Sequence, residues 1–211
     1  MSILIQLRRH VARLRTCEAC PDMVGPVVTG QPIASPVMLV GQAPGTHEGP
    51  AGKPFAWTAG KTMFGWFASL GLSEDQFRSR VYMAAVCRCF PGKAASGGDR
   101  VPAPDEIARC SKHLHAELRL LKPRLVIPVG RLAIEQVVLD FQPDTEKLAD
   151  IIGEPRRGEL AGETFDVIAL PHPSGASTWH RTEPGKTLLA RALACIARHD
   201  AWRAIVDPVA A

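Results

Sequence analysis

The amino end of the chain has apolar residues at helical spacing. Ile3, Leu4, Leu7, Val11 and Leu14 recur at intervals of about three and four residues, which places them on one face of a helix. Arginines occupy the other faces and are expected to be solvated. The chain is therefore predicted to begin with an amphipathic helix.

Four short apolar runs follow, each long enough for one buried strand. They cover residues 37–40, 81–86, 125–129 and 165–170. A wholly apolar run of this length is typical of a parallel strand that is covered on both faces. Helical patterns separate or follow these runs, in the segments after Thr58 and Pro104 and in residues 130–138 and 188–199. The alternation predicts an α/β fold with a short, mostly parallel four-stranded sheet flanked by helices.

Composition is consistent with one domain and leaves the class of partner open. The chain has 211 residues, 46% of them hydrophobic, which is enough to bury one sizeable core. We expect a single domain over residues 1–211, with residues 1–36 forming a helix and a cysteine-containing segment packed on it. The net charge of +4 and the pI of about 8.8 permit nucleic-acid binding without requiring it.

The pattern of apolar residues also bears on location. The chain contains no apolar run of about 18 residues, and its amino end is arginine-rich and periodic. Neither a membrane span nor a secretory signal is expected, so we predict a cytoplasmic monomer with no membrane partner. In such a chain, six cysteines favour metal ligation or reduced thiols over disulfides.

The most informative stretch is the glycine- and proline-rich segment after the first apolar run. Residues 41–60 read GQAPGTHEGPAGKPFAWTAG. Ligands bind at the carboxyl ends of parallel strands, and glycines let backbone amides approach them, so Gly41, Gln42 and Ala43 are candidate ligand contacts. A tight crossover turn is the simpler interpretation. The GKPF sequence argues against it, because it returns the ring of Phe55 towards the same loop.

This segment resembles the first active-site motif of the uracil-DNA glycosylase superfamily, most closely that of its bacterial and archaeal iron-sulfur branches. The pattern there is similar to GEAPG followed by GxPF. Gln42 stands where those branches often have glutamate, and Phe55 matches the ring that stacks on a flipped base. The resemblance implies the α/β fold of that superfamily, DNA containing uracil or another deaminated base as substrate, and hydrolysis of the bond between base and sugar.

A second resemblance lies at the end of the fourth apolar run. The sequence HPSGAS there is similar to HPSPLS in the uracil-specific branch, and this implies that His172 hydrogen-bonds O2 of uracil as charge develops. Ser174 and Ser177 can bond the backbone or a DNA phosphate. Related enzymes wedge a bulky residue of this motif into the duplex. The matching residue here is Ala176, so Trp179 is expected to supply the wedge.

Two departures from the superfamily motifs remove polar groups. The uracil-specific branch resembles GQDPY, whose aspartate activates water, whereas this chain has Ala43. The iron-sulfur branches often have an asparagine that reads the pyrimidine edge, whereas this chain has Ala85. Gln42 can orient the base or a water, and His47 and Glu48 can activate water or simply be solvated loop residues. We therefore hypothesise that the missing asparagine leaves a looser pocket, which admits hypoxanthine or xanthine.

Cysteines form a candidate metal centre. Cys17 and Cys20 make a Cys-x2-Cys pair, which needs two further ligands. In the iron-sulfur branches the third cysteine follows the second strand and corresponds to Cys89. Strand alternation cannot separate it from Cys87, because residues two apart share a face. Cys110 lies in a segment that resembles TPEEIxxC and supplies the fourth ligand. Spacing fits zinc or a [4Fe-4S] cluster, and the resemblance favours a structural cluster.

Residues 93–104 form a flexible insert between the second apolar run and the next helix. The insert is longer than the family pattern leads us to expect. Its Lys93 and Arg100 can contact phosphates, and an ordinary surface loop is an equally good interpretation.

The leading prediction is a monofunctional glycosylase that removes uracil or a related base. No lysine lies within either motif, the nearest being Lys53 and Lys61. One alternative is a protein that forms a covalent adduct with the abasic sugar through His47 or His180. Another is a catalytically silent iron-sulfur module that binds damaged or single-stranded DNA.

Overall fold

A five-stranded sheet forms the centre of the structure, a computed structural model that describes residues 2–95, 97–175 and 177–207. The strands are β1 (Val37–Gly41), β2 (Tyr82–Ala85), β3 (Leu125–Pro128), β4 (Arg156–Leu160) and β5 (Glu163–Val167). Their spatial order is β2-β1-β3-β5-β4, and only the β4–β5 pair is antiparallel. The register sets Leu39 beside Met83 and Ile127. The predicted α/β fold with a mostly parallel sheet is confirmed.

Helices flank this sheet. They are α1 (Ile3–Arg15), α2 (Glu48–Ala51), α3 (Thr58–Ala68), α4 (Glu74–Arg80), α5 (Pro104–Leu121), α6 (Arg131–Val137), α7 (Gly185–Arg198) and α8 (Asp200–Val206). Helix α1 packs on α5 and buries Leu7, Val11 and Leu14, as their spacing predicts. Within the described ranges, no helix is both long and apolar enough to cross a membrane.

Strand β1 is the most deeply buried element, and it determines where the following loop begins. Val37, Met38, Leu39 and Val40 are all fully buried between β2 and β3. Complete burial of an aliphatic side chain stabilises a fold by about 1.5–3 kcal/mol, so these positions anchor the strand strongly. The carboxyl ends of β1, β2 and β3 lie at one edge of the sheet because the three strands are parallel.

Strand β4 is the main difference from the predicted four-stranded sheet. Its sequence, RRGEL, is polar, and only Gly158 is buried, as befits an edge strand with one solvated side. A Cβ on Gly158 would lie 2.2 Å from the Phe165 ring and 2.5 Å from the Val137 carbonyl oxygen. The turn into β5 uses Ala161 and Gly162, both at positive φ, as tight hairpin turns require.

Candidate active site

A cavity of about 550 Å³ opens at the carboxyl edge of the sheet. Its walls come from the loop after β1, the ends of β1 and β2, the first turn of α3, the 93–104 insert and the loop after β5. Phe55 and His172 both line it, although they lie in distant parts of the sequence. The two motifs therefore meet around one space, as expected for a ligand site at this edge of an α/β sheet.

The ring of Phe55 is held in the cavity wall by an unusual backbone. Phe55 has a φ of 53°, in the left-handed region that non-glycine residues rarely adopt. Arg78 stabilises this turn by donating hydrogen bonds to the carbonyl oxygens of Pro54 and Phe55, at 2.9 and 3.1 Å. A Cβ on Gly60 would lie 1.8 Å from the Phe55 carbonyl oxygen, and one on Gly41 would lie 3.1 Å from the ring. Both glycines are thus needed for the ring position.

His172 has a defined tautomer in its neutral form. The backbone N–H of Ser174 donates to Nδ1 at 3.3 Å, so Nδ1 is an acceptor and Nε2 carries the proton. Gly130, with a φ of 85°, packs against the imidazole, and a Cβ there would lie 3.1 Å from Cδ2. Burial lowers the pKa of His172, the charge of Asp99 opposes this effect, and His180 adds to it. A neutral Nε2–H donor therefore serves the cavity.

The other predicted catalytic residues also line this cavity, in different settings. Glu48 is buried, and its Oε2 accepts a hydrogen bond from the Gly45 N–H at 2.8 Å. His47 is exposed and stacks on Trp57, with ring centroids 4.3 Å apart. Gln42 is partly buried, and its backbone carbonyl oxygen accepts from the Cys87 N–H at 3.0 Å, which ties the loop to the end of β2.

The substrate-binding candidates divide into two groups. Gly41, Ala43 and Ser174 line the cavity with Phe55, whereas Ser177 and Trp179 lie outside its lining. The Trp179 side chain packs on the start of α7, where a Cβ at Gly185 would lie 2.6 Å from Cε3 of the indole. Ala176 lies outside the described residues.

Asp99 is a titratable residue of the cavity wall that the sequence did not predict. It comes from the 93–104 insert, for which the sequence suggested phosphate contacts by Lys93 and Arg100 or an ordinary surface loop. Lys93 and Arg100, the predicted phosphate contacts, have carboxylate partners within the chain. The Nζ of Lys93 is 2.6 Å from Oδ1 of Asp99, and Arg100 donates to both oxygens of Glu106 at 2.6 and 2.7 Å. The insert carries no recognised motif from which Asp99 could have been found.

The candidate metal ligands surround a second cavity, of about 370 Å³. Cys17, Cys20, Cys89 and Cys110 all line it, while Cys87 is fully buried outside its lining. The neighbouring Cys87 thiol lowers the pKa of Cys110 to about 7, in opposition to burial. Burial raises the pKa of Cys89 to about 11.

The four cysteines that line this cavity are the residues that could hold a metal group. In the described ranges, no three side chains of the metal-ligating types converge closely enough to share one ion. Cysteine thiolates are the ligands of structural zinc sites and of iron-sulfur clusters alike, so the four cysteines that line this cavity fit either group.

Arg88 lies between the two cavities and lines both of them. Its Nε donates to the Ala85 carbonyl oxygen at 2.9 Å, and its guanidinium forms a buried ion pair with Glu117. Glu117 also accepts from the hydroxyl of Tyr82 at 2.9 Å. Burial raises the pKa of Glu117, but its polar partners, chiefly the charge of Arg88, together outweigh this effect and lower the pKa below its usual value. This satisfied network connects the end of β2 rigidly to α5.

Comparison with known proteins supports the evidence from the two motifs. The model of the Uracil DNA glycosylase superfamily matches residues 27–194. A type-4 uracil-DNA glycosylase of Archaeoglobus fulgidus is 28% identical over 82% of this chain and 83% of its own length. A type-4 enzyme of Pyrobaculum aerophilum is 30% identical over 65% of this chain and 66% of its own length. A type-5 uracil-DNA glycosylase of the same organism is 31% identical over 81% of this chain and 75% of its own length. The resemblance seen in the sequence is confirmed, and the chain belongs to the uracil DNA glycosylase superfamily.

Proposed function

We propose that this protein acts as a monomer that hydrolyses the N-glycosidic bond of uracil, or of a related deaminated base, in DNA. The product is an abasic site, which starts base excision repair. The observation that carries the proposal is the common cavity of Phe55 and His172, one suited to stacking on a base and the other to hydrogen-bonding it. The names of the relatives, type-4 and type-5 uracil-DNA glycosylases, support the same activity.

Binding requires the target nucleotide to leave the duplex. The extruded base stacks on the ring of Phe55, and such stacking contributes about 1–3 kcal/mol, which offsets part of the cost of unstacking. Gly41 keeps this face open, because a side chain there would press on the ring. Ala43 and Ala85 border the cavity without polar groups, so the pocket has fewer means of excluding hypoxanthine or xanthine than one with an asparagine.

Catalysis requires stabilisation of the leaving base. As the bond from C1′ to the base nitrogen breaks, its electron pair passes to the base and negative charge develops on O2 of uracil. The Nε2–H of His172 donates to that oxygen, while the Ser174 N–H holds Nδ1 and fixes the ring. Water adds to C1′ and loses a proton, which leaves a hydroxyl on the abasic sugar. A neutral imidazole suits this role because it requires no proton transfer.

The contacts of the nearby nucleophiles favour simple hydrolysis over a covalent intermediate. Lys93 lines the cavity, but its ammonium is paired with Asp99, and a protonated amine is not a nucleophile. His180 is buried and packs edge-on against Trp66, with ring centroids 5.4 Å apart. His47 is the more accessible of the two histidines proposed for an adduct, and it is stacked on Trp57.

An oligonucleotide assay tests the proposal. Purified protein is incubated with labelled single-stranded and duplex DNA containing one uracil, and then treated with alkali. Strand cleavage at the uracil after alkali supports hydrolysis. A band of reduced mobility that survives denaturation indicates an adduct, and no product indicates a silent binding module. His172→Ala is the matched negative control, and hypoxanthine and xanthine substrates measure base preference.

We also propose that Cys17, Cys20, Cys89 and Cys110 hold a [4Fe-4S] cluster. When bound, the cluster supplies a structural cross-link and takes no part in the hydrolysis. The thiols come from the segment after α1, the segment after β2 and helix α5, so ligation ties the amino-terminal segment to the edge of the sheet. A brown protein with about four irons per chain and absorbance near 400 nm supports this assignment. A colourless protein with stoichiometric zinc contradicts it.

A further inference from the structure

The 93–104 insert places one carboxylate, the exposed side chain of Asp99, in the wall of the base cavity. Lys93 and Asp99 pair in antiparallel fashion, and the Arg100 N–H donates to the Gly92 carbonyl oxygen at 3.0 Å. The guanidinium of Arg100 is in turn clamped by Glu106 in the first turn of α5. Lys93, which faces Asp99, and Arg100, which follows it in the chain, thus both have carboxylate partners.

The two oxygens of Asp99 have different surroundings. Oδ1 is 2.6 Å from the Nζ of Lys93. Oδ2 faces the loop after β1, where a Cβ on Gly45 would lie 3.0 Å from it. Asp99 lines the same cavity as His172, and the carboxylate charge raises the pKa of that imidazole against the effect of burial. One carboxylate oxygen is thus held by Lys93, and the other lies near the loop that borders the base.

We infer that Asp99 is the group that activates the attacking water, in place of the carboxylate that is missing at Ala43. The inference rests on the proposed function. In the step, the water oxygen bonds to C1′ while the bond from C1′ to the base breaks and its electrons leave with the base. Oδ2 of Asp99 accepts the proton that the water loses. That proton later passes to solvent or to the released base, so the carboxylate is regenerated.

The other candidate groups are less suited to this role. Oε2 of Glu48 already accepts the Gly45 N–H at 2.8 Å, and the side chain is buried, so this carboxylate holds the loop conformation. His47 is stacked on Trp57 and exposed at the rim. Gln42 has an amide, which can orient a water but is too weak a base to accept its proton. Glu48 and Asp99 both place a carboxylate in the cavity wall, and they differ in that Glu48 binds the backbone of the loop whereas Asp99 pairs with the side chain of Lys93.

The test compares Asp99→Asn with two controls that also replace a carboxylate by an amide. Glu48→Gln alters the competing carboxylate, and Asp105→Asn alters an exposed carboxylate that pairs with Arg109 outside the cavity lining. Single-turnover rate constants are measured on a uracil duplex. Binding is measured by anisotropy on a duplex with 2′-fluoro-2′-deoxyuridine, whose glycosidic bond resists hydrolysis. Thermal unfolding checks that each variant is folded.

A general base contributes roughly 10²–10⁴-fold, so Asp99→Asn should lower the rate constant at least about 100-fold. Binding should change less than about threefold, because the amide keeps the shape of the side chain. Asp105→Asn should retain most of the rate, and Glu48→Gln should lose clearly less of it than Asp99→Asn does. The inference is overturned if the wild type is active and Asp99→Asn loses less than tenfold, or if Glu48→Gln shows the large loss instead. An inactive wild type would refute the proposed function itself.

Discussion

The geometry at His172 leads to a prediction about which amide can replace the imidazole. The Ser174 N–H donates to Nδ1, so the donor available to the base is Nε2–H. The side-chain nitrogen of glutamine reaches about as far as Nε2, whereas that of asparagine reaches only as far as Nδ1. His172→Gln should therefore retain more activity than His172→Asn. If the proton of His172 were not fixed on Nε2, neither amide would be expected to retain more activity than the other.

The size of the effect follows from the role of one hydrogen bond in a closed site. Removing a single donor to a developing oxyanion costs about 2.7–4 kcal/mol, or 10²–10³ in rate. His172→Ala and His172→Asn should show this full loss. The rate constant of His172→Gln should be about tenfold higher than that of His172→Ala, which corresponds to roughly 1.4 kcal/mol. Substrate binding should change little in all three, because the hydrogen bond strengthens only as charge develops.

The assay is single-turnover release of uracil from a single-stranded oligonucleotide, which avoids the cost of base extrusion from a duplex. Thermal unfolding of each variant controls for lost packing against Gly130, where a Cβ would come within 3.1 Å of the His172 ring. The reasoning is refuted if asparagine outperforms glutamine, or if all three variants stay within threefold of the wild type.

Three further predictions concern other parts of the molecule. Phe55→Ala should weaken binding of uracil-containing DNA by about 5- to 150-fold, the equivalent of 1–3 kcal/mol of stacking, and unchanged binding in a fluorescence titration would contradict this. Cys89→Ser should abolish the visible absorbance and lower Tm by about 5 °C or more, because each kcal/mol of lost stability moves Tm by roughly 2–4 °C in a chain of this size. Cys87→Ser should retain the absorbance. The reverse pattern would show that the ligands are misassigned. Trp57 is 51% exposed and lines the cavity, whereas Trp179 packs on α7. Trp57→Ala should therefore reduce activity on duplex DNA more than Trp179→Ala does. A larger loss from Trp179→Ala would instead support the wedge expected from sequence.

The parallel part of the fold was predictable because its signal is local. Each of β1, β2 and β3 lies in a short apolar run, and a strand buried on both faces needs such a run. Strand β4 was not predictable in this way. It is an edge strand with charged residues on its solvated side, and its place depends on Gly158 packing beneath the Phe165 ring, a contact between chain segments that periodicity does not contain.

The site shows the same division between local and long-range information. The two motifs predicted Phe55 and His172, and the structure brings both to one cavity. Asp99 was missed because its position depends on how the insert folds back over the loop after β1. The environment of Trp179 was equally hidden, since Gly185 is a contact only because the 3-10 turn over Trp179–Arg181 packs on α7.

The central claim is that Phe55 and His172 close on one extruded nucleobase. A crystal structure of the protein with free uracil tests it most directly. The account predicts the pyrimidine ring stacked on Phe55, with O2 about 2.7–3.2 Å from Nε2 of His172. Uracil bound away from this cavity, or in the cavity with neither contact, would contradict the account.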